Sequence, residues 1–290
     1  MIPPIIYTSK YLRTEKKTKD VAQAIFDALD GLKIEHRELT HTNDYWCRDY
    51  MPVMISEDGI YAGYKYCPDY LWDEKALHKY ITKQVNACKD VNVYVQADMG
   101  VKFDGGNYVR CGDKVVMTDK VFMENPSWRA SELLRHLEEV LRAEIVILPW
   151  DMGTESQPDE TGHSDGMVAY LGDGRILLNG CWQKNDERFH TRLMKILQEH
   201  FTVEVLTLDC EEDVNSWCYL NYLRVPNGIL LPCLSENADC ESDLAAQKAF
   251  GRLFPDCKII PIYAMPLIED GGALHCVTWE LFEHNVRLEN

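Results

Sequence analysis

The chain has 290 residues, 46% of them hydrophobic, 11 cysteines and a formal net charge of −17. That composition can bury a substantial core. The acidity disfavours nucleic acid or an anionic membrane surface as partner, because both bind through clustered Lys and Arg, and it suits a cationic substrate, although on its own it mainly signals solubility. The opening Met1-Ile2-Pro3-Pro4-Ile5-Ile6-Tyr7 lacks the basic start and the apolar length of a signal peptide, and no run approaches the ~18 apolar residues of a membrane span, so a cytoplasmic protein is expected.

In chain order, helices are predicted to open near Val21, Glu74, Trp128, Asp186 and Glu241, at spacings of 53, 54, 58 and 55 residues. In Val21, Ala22, Ile25, Phe26, Leu29, in Leu77, Ile81, Val85, Cys88 and in Leu133, Leu134, Leu137, Val140, Leu141 the apolar residues fall three and four apart, one face of a helix. Each helix precedes an apolar run: Ile34–Leu39, Val91–Ala97, Ile145–Pro149, Val203–Leu208 and Cys257–Ile262. The runs Met167–Leu171 and Arg175–Leu178, and Tyr219–Val225 and Gly228–Leu231, flank Gly172-Asp173-Gly174 and Pro226-Asn227-Gly228, which reads as antiparallel hairpins. The expected unit is a helix, an inner strand and a hairpin, repeated five times in one domain spanning 1–290.

After the inner strands come Trp46-Cys47-Arg48-Asp49, Asp104-Gly105-Gly106-Asn107, Thr161-Gly162-His163-Ser164-Asp165, Tyr219-Leu220-Asn221-Tyr222 and Gly271-Gly272-Ala273-Leu274-His275-Cys276. Units packed around an axis would bring the five motifs to one place. Cys276 is the nucleophile candidate, since it follows a Gly-Gly turn at the entry to Val277-Thr278-Trp279 and neighbours His275. Most cysteines of an intracellular chain are small buried hydrophobes, and no pair here has C-x-x-C spacing. His163 and Asp165, two apart in an extended segment, would share a face. Arg48 beside Asp49 reads either as a surface ion pair or as the neighbour of a carboxylate that receives a planar cation. Asp49 and Asp165 together could each take two N–H groups of a guanidinium.

These motifs, in this order, resemble the agmatine deiminase and bacterial peptidylarginine deiminase group of the guanidino-modifying pentein superfamily. The resemblance implies an α/β fold, a pseudo-fivefold propeller with its site on the axis. It implies Cys276 as nucleophile, His163 as general acid and base, Asp49 with Asp165 as guanidinium clamp, and Asp104 holding His163. Trp46, Asn107, Asn221 and Gly272 are the further substrate-binding candidates. The chain departs from the agmatine deiminase pattern in having Asp104 where Glu precedes Gly-Gly-Asn, Thr161 where Asp precedes Gly-His, and Arg48-Asp49-Tyr50-Met51-Pro52 where Arg-Asp-x-Gly-Pro is usual. The N-terminal segment rich in Trp, Glu and Pro is not recognisable in Met1–Arg13.

The implied reaction is hydrolysis of a guanidino group to a ureido group and ammonia with no metal or organic cofactor, on a small cationic substrate, agmatine leading. Peptidyl-arginine, free arginine and guanidino acids are the other substrates, and a homo-oligomer is allowed. Rival readings are a cysteine protease, a zinc site from His163, Asp165 and Cys276, and a non-catalytic pentein binding module. The protease reading leaves two aspartates unexplained and needs a nucleophile at a helix N-terminus. The zinc reading lacks familiar ligand spacing.

Overall fold

The computed structural model describes residues 3–56, 58–150, 153–154, 157–211 and 215–282. The opening Met1-Ile2 and the outer bounds of the expected 1–290 domain lie outside the described residues. The strands are β1 (Ile5–Ser9), β2 (His36–Leu39), β3 (Val53–Ser56), β4 (Ile60–Lys65), β5 (Tyr94–Lys102), β6 (Val109–Cys111), β7 (Lys114–Thr118), β8 (Glu144–Leu148), the short ribbon β9 (Gly153–Thr154) and β10 (Gln157–Pro158), β11 (Val168–Gly172), β12 (Arg175–Asn179), β13 (Thr202–Leu206), β14 (Leu223–Val225), β15 (Gly228–Cys233), β16 (Lys258–Tyr263) and β17 (Trp279–Leu281).

Apart from the β9–β10 ribbon they form five three-stranded sheets with one plan. The middle strand pairs antiparallel with its hairpin partner and parallel with a strand reached through a crossover: β3-β4-β5, β6-β7-β8, β11-β12-β13 and β14-β15-β16. The fifth sheet, β17-β1-β2, joins the two ends of the chain, with Ile5 opposite Leu281 and Tyr7 opposite Trp279. This antiparallel closure turns a linear repeat into a ring.

Four crossovers contain the expected helices, at Lys19–Leu32, Ala130–Leu141, Glu187–Gln198 and Glu241–Leu253. Their apolar stripes determine how they pack. Helix Ala130–Leu141 buries Leu133, Leu137 and Leu141 and lies against both β8 and β5, while Glu187–Gln198 buries Leu193 and Leu197 against β13 and β8. Each such helix therefore wedges between adjacent sheets, and each fully buried Leu contributes roughly 1.5–3 kcal/mol.

The helix expected near Glu74 does not form. That crossover contains only the short turns Asp69–Trp72, His78–Tyr80, Gln84–Ala87 and Cys88–Asp90, with Ile81 and Lys83 extended. Polar side chains are drawn inward instead. Thr82 Oγ1 accepts the Asn43 N–H (2.9 Å), Gln84 Oε1 accepts the Tyr64 N–H (3.1 Å), and Gln84 Nε2 donates to the Tyr50 carbonyl (3.0 Å). Satisfying those backbone groups outweighs an amphipathic pattern in a helix that carries Thr82 and Asn86.

Each of the five motifs forms a turn between the last strand of one sheet and the hairpin of the next. Four are single helical turns, at Cys47–Tyr50, Gly105–Asn107, Ser164–Gly166 and Ser216–Leu220, packed in succession. The strand expected at Tyr219–Val225 is thus confined to Leu223–Val225, and Asp165 lies in a turn rather than in the extended segment expected for it. The fifth motif closes the ring, because the Arg48 N–H donates to the Cys276 carbonyl (3.1 Å) and the His275 N–H to the Asn221 carbonyl (3.1 Å).

Candidate active site

Glycines set how closely the turns approach one another. A Cβ on Gly105 would stand 2.1 Å from the Arg48 carbonyl oxygen, and one on Gly106 would stand 2.3 Å from His163 Nδ1, so the second motif must be Gly-Gly for the imidazole to lie on its backbone. Asp104 caps the same turn, accepting the Gly106 N–H at 3.2 Å.

His163 lies among acids. Its Nε2 is 3.0 Å from Asp104 Oδ2, outside hydrogen-bond alignment, and its Nδ1 is 4.0 Å from Asp49 Oδ1. Burial alone would lower the imidazole pKa, but the Asp104 and Asp49 charges outweigh it and hold the ring well above the ordinary histidine value. Asp49 shifts upward as well. Burial, then the Asp104 charge, push its carboxyl well up despite His163, and its Oδ1 is buried without a hydrogen-bond partner. Asp104 is steadied from behind by the Tyr70 hydroxyl, which donates to Oδ2 at 2.5 Å.

Cys276 follows the Gly271-Gly272 turn, three residues before β17 begins at Trp279. Its Sγ accepts from Asn221 Nδ2 at 3.0 Å and its S–H donates to Asp165 Oδ2 at 3.7 Å. Burial, then the charges of Asp165 and Asp49, hold it in the thiol form with a pKa well above the usual value. Cys47 is equally buried, yet its thiol donates to the Val277 carbonyl at 3.1 Å. What distinguishes Cys276 is a surround of polar side chains.

The Asp165 carboxylate is the counterpart of Asp49. Burial works to raise its pKa, but the His275 hydrogen bond (Nδ1 to Oδ2, 2.7 Å) and the charges of His275, His163 and Arg48 hold it below the ordinary carboxylate value. Arg48 is not the surface ion pair considered from the sequence. Its side chain is 14% exposed, pairs with Glu280 Oε2 at 2.6 Å and donates from Nε to the His275 carbonyl at 3.4 Å. On the hairpin side, a cavity of about 840 Å³ is lined by Arg48, Asp165, His275 and Glu280 together with Ser56 and Gly112.

The structure therefore brings Cys276, His163, Asp49, Asp104 and Asp165 together. The other four candidates serve differently. Asn221 Oδ1 accepts the N–H groups of Ala273 and Cys276 (3.1 and 3.2 Å) and shares that of His275, so with Nδ2 on the thiol its amide is committed to the nucleophile loop rather than to a substrate. Asn107 is committed to Thr118, accepting its N–H at 2.7 Å. A Cβ on Gly272 would stand 2.3 Å from the Trp46 ring, so these two pack on each other beside the loop. Sequence reasoning missed Tyr70 and the His275 side chain as partners of the acids. Tyr70 falls just ahead of the helix expected near Glu74, where nothing in the pattern marks it, whereas His275 is legible in the sequence only as the neighbour of Cys276.

The zinc set drawn from the sequence, His163, Asp165 and Cys276, is not the one that converges. Among the described residues, the ligand atoms of Asp49, Asp104 and His163 lie within 4.8 Å of one another. Two carboxylates and an imidazole suit a divalent cation, but an unpartnered buried carboxylate oxygen beside a thiol equally suits an organic cation.

A sequence model of the Porphyromonas-type peptidyl-arginine deiminase family matches residues 8–281. A Legionella pneumophila (strain Paris) protein with a provisional agmatine deiminase name is 25% identical over 265 residues, covering 81% of this chain and 72% of that protein. Among solved structures, a C. jejuni agmatine deiminase with substrate bound superposes with a TM-score of 0.72 at 15% identity, over 97% of this chain and 94% of that one. A DDAH from Pseudomonas aeruginosa complexed with citrulline gives 0.59 at 11% identity, over 97% and 100%. The structural likenesses establish the fold, the five-unit α/β propeller of the penteins.

Proposed function

The chain belongs to the Porphyromonas-type peptidyl-arginine deiminase family, and on that premise we propose that it hydrolyses a guanidino group to a ureido group and ammonia through Cys276, with agmatine as leading substrate. It is a hydrolase acting on C–N bonds of guanidino compounds. The observation that carries the finer reading is the unpartnered, buried Asp49 Oδ1 in a site whose thiol is also faced by Asp165. A planar cation between the two carboxylates would satisfy both and fix its central carbon against Cys276.

The charges give the order of events. In the empty site burial and the Asp165 and Asp49 charges favour Cys276 as thiol, and the Asp104 and Asp49 charges favour His163 as imidazolium. An arriving guanidinium offsets both carboxylates, which favours loss of the thiol proton to solvent. The thiolate attacks the central carbon and His163 protonates one nitrogen of the tetrahedral adduct. Ammonia departs as the C–N bond breaks, leaving an amidino-thioether. Neutral His163 then takes a proton from water as the oxygen adds to the same carbon, and collapse of the second adduct breaks the C–S bond to release the ureido product. Asp104, steadied by Tyr70, favours the imidazolium at each return.

Agmatine is favoured by the net charge of −17 and by the names its relatives carry. The family's own description favours a second reading, arginine in a peptide. We assign the enzyme to the cytoplasm, and no helix among the described residues is long and apolar enough to cross a membrane. Ammonia release measured across agmatine, arginine, guanidino acids and an arginyl peptide tests the assignment. Agmatine should give the highest kcat/KM, preference for the arginyl peptide would install the second reading, and no release from any of them would leave a non-catalytic binding module.

A further inference from the structure

We propose that His275 is a positioning residue that sets the Asp165 side of the guanidinium clamp, an inference that rests on the guanidino reading above. The backbone of the nucleophile loop does not need this side chain. The His275 N–H is bonded to Asn221 and its carbonyl accepts from Arg48 Nε, while Cys276 is fixed by the Asn221 amide and the Arg48 N–H. The side chain is free to act elsewhere, and its ring Nδ1 lies 2.7 Å from Asp165 Oδ2.

Asp165 Oδ2 accepts a second, longer hydrogen bond, from the Cys276 thiol at 3.7 Å. The two compete for one oxygen. While His275 holds Oδ2, the carboxylate plane is set, Oδ1 is left to meet a substrate N–H, and the thiol proton has the poorer claim on the acid. Without His275, the carboxylate can turn toward the S–H it already accepts at 3.7 Å and tighten that bond, which stabilises the thiol and removes half of the clamp at once. The remaining polar surroundings cannot substitute, because Arg48 is engaged by Glu280 at 2.6 Å and His163 lies on the Asp104 and Asp49 side. The ring also lines the hairpin-side cavity, 25% exposed, so it can be replaced without opening a fully packed core.

The test compares alkylation of the full-length protein by 2-chloroacetamidine, a planar cation shaped like the reacting end of a guanidine, with alkylation by neutral chloroacetamide. Wild type should react faster with the amidine, and His275→Leu should lower that preference and the kcat/KM of the best substrate by roughly 10- to 100-fold, with KM rising, as expected for a mis-set charge-assisted pair. His275→Asn, whose Nδ2 can still donate to Asp165, should recover most of both. Unchanged preference in a His275→Leu protein that keeps its circular dichroism and melting curve, or no recovery in His275→Asn, overturns the proposal. A wild-type protein that shows neither amidine preference nor ammonia release overturns the guanidino reading instead, and this inference falls with it.

Discussion

Asn221 and Cys276, 55 residues apart, meet through a 3.0 Å contact from the Asn221 amide nitrogen to the Cys276 sulfur, while the amide oxygen gathers the backbone N–H groups of the loop that carries the cysteine. One side chain thus shapes the loop and touches the proposed nucleophile. Asn221→Leu should leave several buried N–H groups unpaired, at about 1–3 kcal/mol for the first. The expected outcome is a lower melting temperature together with loss of Cys276 alkylation by chloroacetamide. A variant that melts like wild type and alkylates at the same rate contradicts this role.

Cys276→Ala should abolish turnover, by at least about 10³-fold, while keeping the melting curve and the binding of substrate, because the thiol is a covalent partner rather than a core contact. Isothermal titration with substrate alongside an ammonia assay checks both halves. Residual turnover near a tenth of wild type would move the nucleophile elsewhere.

Asp49→Asn and Asp165→Asn should each weaken kcat/KM by roughly 10- to 200-fold, the loss of one charge-assisted contact of about 1.5–3 kcal/mol. Asp173→Asn, in the exposed hairpin turn, should be neutral. Asp159 is no neutral control, since its carboxylate accepts from Trp150 Nε1 and from the N–H groups of Thr161 and Gly162, ordering the loop that leads to His163. Steady-state kinetics on the three variants decides this, with equal small effects at Asp49, Asp165 and Asp173 counting against the clamp.

The substrate-free protein should lose stability as pH rises. His163 has its pKa raised in the folded state, so its contribution is fully present below the unfolded value of about 6.5 and is lost as pH climbs through the folded one. Asp49 and Cys276 are also raised, and each resists deprotonation on folding, which gives the same sign. Thermal melts from pH 6 upward should show a falling midpoint, and His163→Gln should flatten the slope. A midpoint that rises over this range would contradict the charge assignment.

Dialysis against a chelator should leave activity within about twofold, because the proposed reaction uses a thiol and an organic cation at Asp49, Asp104 and His163 and not a metal-bound water. Activity lost on chelation and restored by one divalent metal would instead make that trio a metal centre.

The sequence by itself determined the repeat and the polar motifs at its turns. Periodicity of 3.6 in Leu133, Leu137 and Leu141, turn residues such as Pro226-Asn227-Gly228, and the polar motifs that follow each inner strand are local patterns, and local patterns are what a chain displays in order. That five such motifs should meet follows from repetition only when the units close around an axis. What only the tertiary structure decided were relationships with no local signature: the amide of Asn221 on the Cys276 loop, His275 on Asp165, 110 residues away, Arg48 on Glu280, 232 away, and β17 closing on β1. The crossover after β4 belongs with these. Its apolar spacing reads as helix, but backbone groups of Asn43, Tyr64 and Tyr50 must be satisfied, and Thr82 and Gln84 are the side chains that reach them. A buried donor or acceptor costs more to leave unpaired than a short helix gains from its own propensity, and which donors are buried is known only when the ring has closed.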